Sequence, residues 1–286
     1  MNKAAGSSLL RRLGRSPSAM AGLFIITTYA VVALFSTWLT PYSPVAQNPA
    51  DRLLAPNGQY WVGTDEFGRD IFSRLMVGAT NSLTVAMLSV SLAFVGGTLL
   101  GTVSGYAGGW TDNVIMRLVD LMFAFPALLL ALAIAAALGP GLRNTVIAIA
   151  VVYLPIFARV ARGSVLLLKG LEFVEASRSL GVGHARLIFK HILPNAIAPS
   201  LVQLSLAFSW AILTEAALSF LGLGTIPPNP SWGSMLSDAR KMMELAPWMA
   251  VAPGLAIMFC VLGFNLLGDG VRDILDPHLH LTKKIT

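Results

Sequence analysis

Residues 82–106 read SLTVAMLSVSLAFVGGTLLGTVSGY and contain no charged side chain. A helix needs about 20 predominantly apolar residues to cross ~30 Å of hydrocarbon, and this stretch is long enough. Gly97, Gly101 and Gly105 recur in it every four residues and so share one face of a helix. Such a ridge of small residues lets another helix approach closely. The stretch therefore predicts a transmembrane helix whose glycine face packs against a neighbouring span or a partner.

The composition extends this prediction to the whole chain. Hydrophobic residues make up 55% of the 286 residues and charged residues only 12%, outside the usual range of water-soluble domains. Six stretches are apolar enough to cross a membrane: roughly 20–40, 82–106, 119–138, 144–161, 195–222 and 248–268. We therefore expect an all-α, polytopic membrane protein with six transmembrane helices and both termini on the same side.

The distribution of basic residues predicts the orientation. Fourteen of the 20 Lys and Arg residues lie on one side if the N-terminus is cytoplasmic, and basic loops are retained inside. We expect a cytoplasmic segment at 1–19, a transmembrane domain at 20–270 and a cytoplasmic tail at 271–286. The net charge of +6 follows from this bias, so nucleic-acid binding is not indicated. The apolar run that begins at Met20 exceeds the 7–15 residues of a signal peptide, so we favour a retained anchor over a cleaved leader.

Two predicted outer loops contain amphipathic patterns. In the loop 41–81, Ile71, Phe72, Leu75 and Met76 recur at helical spacing opposite a polar side, which predicts a short helix on the outer surface. Sealing of the bundle and docking of a partner are both open roles for this helix. In the loop 223–247, an apolar stripe from Trp232 to Ala246 predicts a second interfacial helix, anchored by Trp232 and Trp248.

The cytoplasmic segment 162–194 is too polar to cross the membrane. Phe173, Ala176, Ser177 and Leu180 recur at i, i+3, i+4 and i+7, which gives a narrow helical face. A helix this short is unstable alone and needs a groove to lie in. Gly181 suits a left-handed cap, after which a second helix leads into span five. An ordinary hairpin without a partner remains an alternative on this pattern alone.

Particular motifs resemble a known family. Glu175-Ala176 followed by Gly181 and Leu193-Pro194 is similar to the cytoplasmic motif of ABC-importer permeases, with Ser177 and His191 at positions where Ala and Ile are usual. The remaining motifs resemble the C-type subunit of the dipeptide/oligopeptide/nickel branch: GTDEFGRD at 63–70, MRLVD at 116–120, AALSFLGLG at 216–224, WGSML at 232–236 and NLLGDGVRD at 265–273. Thr80 stands where that branch often has Arg.

The resemblance implies a permease that moves short peptides, with nickel or another small solute as the alternative cargo. It implies a short helix that docks on an ATPase, through Glu172, Phe173, Glu175, Ala176, Ser177, Arg178, Leu180 and Gly181. It also implies docking of a solute-binding protein, for which the candidates are Asp65, Arg69, Asp70 and Arg74.

The implied partners are a second homologous permease, two ATPase subunits, an extracytoplasmic solute-binding protein and membrane lipid, in a bacterial inner membrane. The chain contains no Gly-x-x-x-x-Gly-Lys-Ser/Thr phosphate loop, so it cannot hydrolyse ATP by that route. We therefore expect no cofactor on this chain and place ATP and Mg²⁺ on the partner subunits.

Other chemistry has weaker support in the sequence. Glu215 lies within a predicted span, and an intramembrane carboxylate is a candidate for lining the substrate path. Cys260 has no second cysteine, and His278 and His280 lie in the predicted tail, so we expect no metal site. The residues for an intramembrane protease are not in the required places, so we expect no enzyme. An ATP-independent channel or secondary transporter remains the second hypothesis.

Overall fold

A computed structural model describes residues 16–275. Most of the predicted N-terminal segment and of the tail, including His278 and His280, lies outside these residues. The described part contains nine helices: α1 Pro17–Leu39, α2 Ile71–Ala107, α3 Gly109–Phe123, α4 Ala127–Leu138, α5 Leu142–Lys169, α6 Glu172–Ser179, α7 His184–Phe220, α8 Trp232–Ala239 and α9 Trp248–Leu275. We name the two ends of the bundle outer and inner, following the predicted orientation.

The all-α membrane architecture is confirmed. Five helices (α1, α2, α5, α7 and α9) are long and apolar enough to cross a membrane, and α3 with α4, bent by 93° where they meet, makes a sixth candidate if the pair is counted as one broken span. The prediction of one continuous helix over 119–138 is wrong. Pro126 provides no N–H donor and disfavours helical backbone at Phe125, so α3 ends at Phe123 and α4 begins at Ala127.

The centre of the bundle is the contact between α2 and α5. A Cβ on Gly97 or Gly101 would collide with the carbonyl oxygens of Leu154 and Ala158, and one on Gly105 would come within 3.0 Å of the Arg162 carbonyl oxygen. The predicted glycine ridge is therefore confirmed as a packing surface, and its partner is a neighbouring span. The close backbone approach buries neighbouring residues of both helices.

The outer segment before α2 differs from its prediction. No separate surface helix forms over 63–76, because α2 itself begins at Ile71 and Asp70 caps it, accepting a hydrogen bond from the Ser73 amide at 2.8 Å. The expected solvent-facing side is also wrong, since Arg69, Asp70 and Arg74 are 3–6% exposed. Arg69 and Arg74 pair with Asp65 of the loop and Asp238 of α8, and the Asp70 carboxylate accepts from the amide and hydroxyl of Ser73.

The second outer helix is shorter and deeper than predicted. Ser231 and Ser234 form a capping box that starts α8, which ends at Ala239 instead of continuing to Ala246. Trp232 is only 1% exposed, and its indole lies 5.6 Å from the Tyr29 ring in an edge-on contact. Trp232 thus packs inside the bundle, because its N–H finds a partner in the Leu75 carbonyl oxygen at 3.2 Å.

Candidate functional site

The inner end of the bundle carries a helical hairpin at residues 170–192, which we call the coupling hairpin. It consists of α6, a turn at Gly181 and the first part of α7, where a π-turn covers Leu187–Ile192. The predicted short helix is confirmed, with bounds of Glu172–Ser179. The segment 162–169, predicted to belong to the loop, is instead the last part of α5.

One residue of α6 fixes the helix to the bundle. Val174 is fully buried in a small apolar cluster that also contains Val165, Leu187, Ile192 and Ala196. These residues come from the end of α5 and the start of α7, so α6 is clamped between the two spans that it connects. Val174 was not among the predicted residues, because it lies outside the face that the i, i+3, i+4, i+7 pattern selects.

The predicted coupling face points away from the bundle. Phe173 is 40% exposed and Leu180 is 84% exposed, although both are large apolar side chains. Ser177 is half-buried, and its hydroxyl donates to the Phe173 carbonyl oxygen at 2.7 Å, within the helix. The other predicted coupling residues are exposed: Glu172, Glu175, Ala176, Arg178 and Gly181. All eight predicted residues are therefore at least partly exposed on α6 and the turn that follows it.

Gly181 is required by the backbone conformation of the turn. Its φ is +76°, which lies in the left-handed region that only glycine adopts at little cost. The Gly181 amide donates to the Arg178 carbonyl oxygen at 3.0 Å, and the Val182 amide donates to the Ser177 carbonyl oxygen at 3.2 Å. These two bonds close the end of α6, as the sequence predicted.

Tyr106, at the inner end of α2, contacts both helices of the coupling hairpin and the end of α5. Its hydroxyl lies 2.5 Å from His184 Nδ1, its carbonyl oxygen accepts from Lys169 Nζ at 2.8 Å, and the guanidinium of Arg178 lies 5.9 Å from its ring centroid. These contacts are not predictable from the sequence, because α2 and the hairpin are distant in the chain. Tyr106 is the functional candidate that sequence reasoning missed.

Two ion pairs join α3 to α5 near the same end. Arg162 binds Asp112 through two hydrogen bonds at 2.6 and 2.7 Å, and Arg159 Nη2 donates to Asp120 at 2.7 Å. The first pair is partly buried, whereas both members of the second are more than half exposed. Both acidic residues of α3 therefore have their partners on α5.

The four predicted docking residues are buried where the outer loop meets the start of α2. Arg69 Nε donates to Asp65 at 2.5 Å, and both Arg69 and Arg74 reach Asp238 of α8 at 3.3 Å. We call Asp65, Arg69, Arg74 and Asp238 the outer charge network. Burial raises the pKa of the Asp238 carboxyl, while the two guanidinium groups act in the opposite direction. The network ties α2, the loop and α8 together.

Glu215 lies inside the protein at the outer part of α7. It is 1% exposed, and the Ser219 hydroxyl donates to its Oε1 at 2.6 Å. Among the described residues, no protein group hydrogen-bonds to its Oε2. Gly233 of α8 packs directly on the adjacent turn of α7, where a Cβ would collide with the Ala216 carbonyl oxygen. A role for Glu215 in the substrate path stays a prediction.

The arrangement of the coupling hairpin is suited to mechanical coupling. Within residues 16–275, no three His, Cys, Asp or Glu side chains are grouped closely enough to hold a metal ion. The coupling hairpin instead offers a rigid, exposed helix attached to two spans. Displacement of α6 by a partner would therefore displace the inner ends of α5 and α7.

Comparisons with known proteins place the chain among transport proteins. Residues 97–281 match the family described as the inner membrane component of binding-protein-dependent transport systems, and residues 6–56 match the N-terminal transmembrane domain of oligopeptide transport permease C.

Curated relatives match almost the whole chain. The dipeptide transport system permease protein DppC of Alkalihalophilus pseudofirmus is 49% identical over 94% of this chain and 88% of its own length. The di/tripeptide permease protein DppC of Pseudomonas aeruginosa is 47% identical over 91% of this chain and 88% of its own length. The glutathione permease protein GsiD of Pectobacterium atrosepticum is 45% identical over 94% of this chain and 89% of its own length.

The fold is also that of a solved transporter. An inward-facing structure of the MetNI methionine ABC transporter aligns with a TM-score of 0.58 at 19% identity, covering 71% of this chain and 97% of that one.

Proposed function

Because this chain belongs to the family of inner membrane components of binding-protein-dependent transport systems, we propose that it carries short peptides across the bacterial inner membrane. The observation that supports this cargo most strongly is the agreement among three relatives, which are named for dipeptides, di/tripeptides and glutathione and are 45–49% identical. All three substrates are short peptides. The chain is a multi-pass membrane protein and a permease subunit. In this proposal it forms part of the path along which the peptide crosses the membrane, and it catalyses no reaction itself.

The energy for transport comes from partner subunits in this proposal. Two ATPase subunits bind ATP and Mg²⁺, a second homologous permease completes the pore, and a solute-binding protein delivers the peptide; the chain itself binds no cofactor. The exposed face of α6 supports ATPase docking, since Leu180 and Phe173 leave apolar surface uncovered on a helix that is otherwise clamped in place. The acidic Glu172 and Glu175 beside them supply charge for orientation.

The coupling hairpin acts as a lever. Closure of the ATPase pair moves α6, and the packing of Val174 between the end of α5 and the start of α7 carries that displacement into both spans. Coupling of this kind requires a discrete element with two arrangements, because packed interiors do not deform continuously. Alternation of the pore between outward and inward openings is the expected result.

The outer charge network contributes to docking of the binding protein by holding the outer loop in one shape. Asp65, Arg69, Asp70 and Arg74 are too buried in this conformation to form a large contact themselves. Exposed neighbours on the same loop, such as Trp61 and Phe67, present the contact surface. A rigid loop lowers the entropic cost of docking, which favours affinity.

The decisive experiment is to purify the importer complex from mild detergent with this chain tagged. We expect a second permease and ATPase subunits to co-purify, and a binding protein loaded with a peptide to be recovered when it is trapped on the complex. Recovery of the chain alone as a homo-oligomer would favour the channel or secondary-transporter hypothesis. Recovery of a binding protein loaded with a nickel chelate or another solute would support an ABC-importer permease but would contradict short peptides as its cargo.

Substitution of the coupling face tests its role directly. Glu175→Lys reverses a charge on the exposed side of α6, and we expect loss of ATPase co-purification and of uptake with the membrane fold intact. Glu244→Lys is the matched control, because Glu244 is equally exposed but lies at the outer end. Equal ATPase recovery with both variants would contradict the proposed docking face.

A further inference from the structure

The coupling hairpin is attached to a third span besides the two that it connects covalently. Tyr106, the penultimate residue of α2, contacts Lys169 at the end of α5, Arg178 beside the tip of α6 and His184 at the start of α7. The shortest of these contacts is the 2.5 Å hydrogen bond between the Tyr106 hydroxyl and His184 Nδ1. A displacement of the hairpin therefore pulls on α2 as well as on α5 and α7.

Among the three spans that border the hairpin, α2 is the one that contains neither a proline nor a π-turn. It runs for 37 residues, about 55 Å at 1.5 Å per residue, with no internal proline. By contrast, α5 contains Pro155, and α7 contains Pro199 and begins with a π-turn. Prolines and π-turns remove helical hydrogen bonds and are the usual places where helices bend.

The outer end of α2 is as firmly held as its inner end. Asp70 caps the helix and accepts from both the amide and the hydroxyl of Ser73, at 2.8 and 2.6 Å. Arg74, one turn further along, reaches Asp238 of α8 at 3.3 Å and the Pro44 carbonyl oxygen at 3.2 Å. The one helix thus links the hairpin at the inner end to the outer charge network at the other.

We propose that Tyr106 is a positioning residue through which the coupling hairpin moves α2, and that α2 carries this movement as a rigid rod to the outer loop and α8. This inference rests on the proposed function, because it assumes that a partner moves the hairpin. It goes beyond that function because it assigns a route by which movement passes from the inner to the outer side through α2, and not through α5 or α7. Loss of the Tyr106–His184 bond uncouples the two sides without preventing assembly.

The test compares matched tyrosine variants in the complete importer, reconstituted in liposomes with its ATPases and binding protein. Tyr106→Phe removes the hydroxyl that contacts His184. Tyr29→Phe is the control, because it removes a comparable interhelical hydrogen bond, from the Tyr29 hydroxyl to the Ala256 carbonyl oxygen at 2.9 Å, far from the hairpin. Peptide uptake and ATP hydrolysis are measured on the same vesicles, so that their ratio reports coupling and not the amount of folded complex.

We expect Tyr106→Phe to lower the peptide transported per ATP, and the stimulation of ATP hydrolysis by the binding protein, roughly threefold to tenfold, the loss that one hydrogen bond can supply. Tyr29→Phe should leave both within twofold of the native complex. His184→Gln, which retains a polar partner for the hydroxyl, should keep the ratio, whereas His184→Ala should lower it.

A double variant distinguishes a route through this bond from a general loss of structure. Tyr106→Phe combined with His184→Ala should be no worse than either single change, because both remove the same contact. Unchanged ratios in Tyr106→Phe, or additive losses in the double variant, would overturn the inference and leave the proposed function standing. A native complex that neither transports peptide nor responds to a binding protein would overturn both.

Discussion

The guanidinium group of Arg162 donates two hydrogen bonds to the carboxylate of Asp112, at 2.6 and 2.7 Å. The Ser104 hydroxyl of α2 also donates to this carboxylate, so a single acidic side chain joins α2, α3 and α5. Asp112 lies in the first turn of α3, where the dipole of the helix also favours a negative charge. Charge-assisted hydrogen bonds thus fix the start of α3 to α2 and α5.

We predict that Asp112→Asn destabilises the protein by about 1–2 kcal/mol. The substitution removes the charge from a bidentate pair that is partly shielded from solvent, and charge-assisted hydrogen bonds contribute most there. Thermal unfolding of the purified protein in detergent measures the change. Asp120→Asn is the control, because the pair with Arg159 is more than half exposed and should contribute about 0.5 kcal/mol or less. Equal losses from the two variants would contradict the assigned difference.

The glycine ridge predicts that alanine substitutions in two adjacent turns of α2 differ sharply in their effect on folding. Gly101→Ala should lower the amount of folded protein severely, because its methyl group would overlap the backbone of Ala158 and force α2 away from α5. Gly96→Ala should be tolerated, since its methyl group would meet only the end of the Leu154 side chain, at 3.4 Å. Size-exclusion chromatography of detergent-solubilised variants compares them. Comparable yields of monodisperse protein would argue against the close approach.

Different residues of α6 should determine the stability of the coupling hairpin and its binding to the ATPase. Val174→Ala removes apolar contacts from a fully buried position and should cost about 1–3 kcal/mol locally, which loosens the coupling hairpin. Leu180→Ala removes a side chain that is 84% exposed and should leave stability unchanged while it weakens ATPase binding. Limited proteolysis of the hairpin reports the first effect, and ATPase co-purification reports the second. Loss of stability in Leu180→Ala would show that the Leu180 side chain packs within the protein and is not available to a partner.

Glu215→Gln should reduce uptake about threefold to tenfold while the complex still assembles. The amide has the same size and can accept from Ser219, but it lacks the charge that a substrate path would use. Uptake into liposomes at matched protein amounts measures the effect. Ser219→Ala controls for the hydrogen bond alone. Unchanged uptake in Glu215→Gln would remove Glu215 from the candidates for the path.

Much of this protein follows from local sequence. The apolar runs fix the spanning helices, because backbone groups in hydrocarbon must bond within their own segment and only a helix satisfies them. Gly97, Gly101 and Gly105 specify a close helix contact, and Gly181 specifies the turn that ends α6. The coupling face was also predictable, because helical spacing alone selects which side chains share a side.

Only the tertiary structure decided which of these features meet. Whether Arg69 and Arg74 face water or the protein depends on Asp238, which is distant in the chain, and the local pattern therefore suggested the wrong side. Val174 and Tyr106 acquire their roles in the same way, from partners contributed by other helices. Sequence periodicity determines how residues are arranged around one helix, whereas burial and ion pairing are properties of the space between helices.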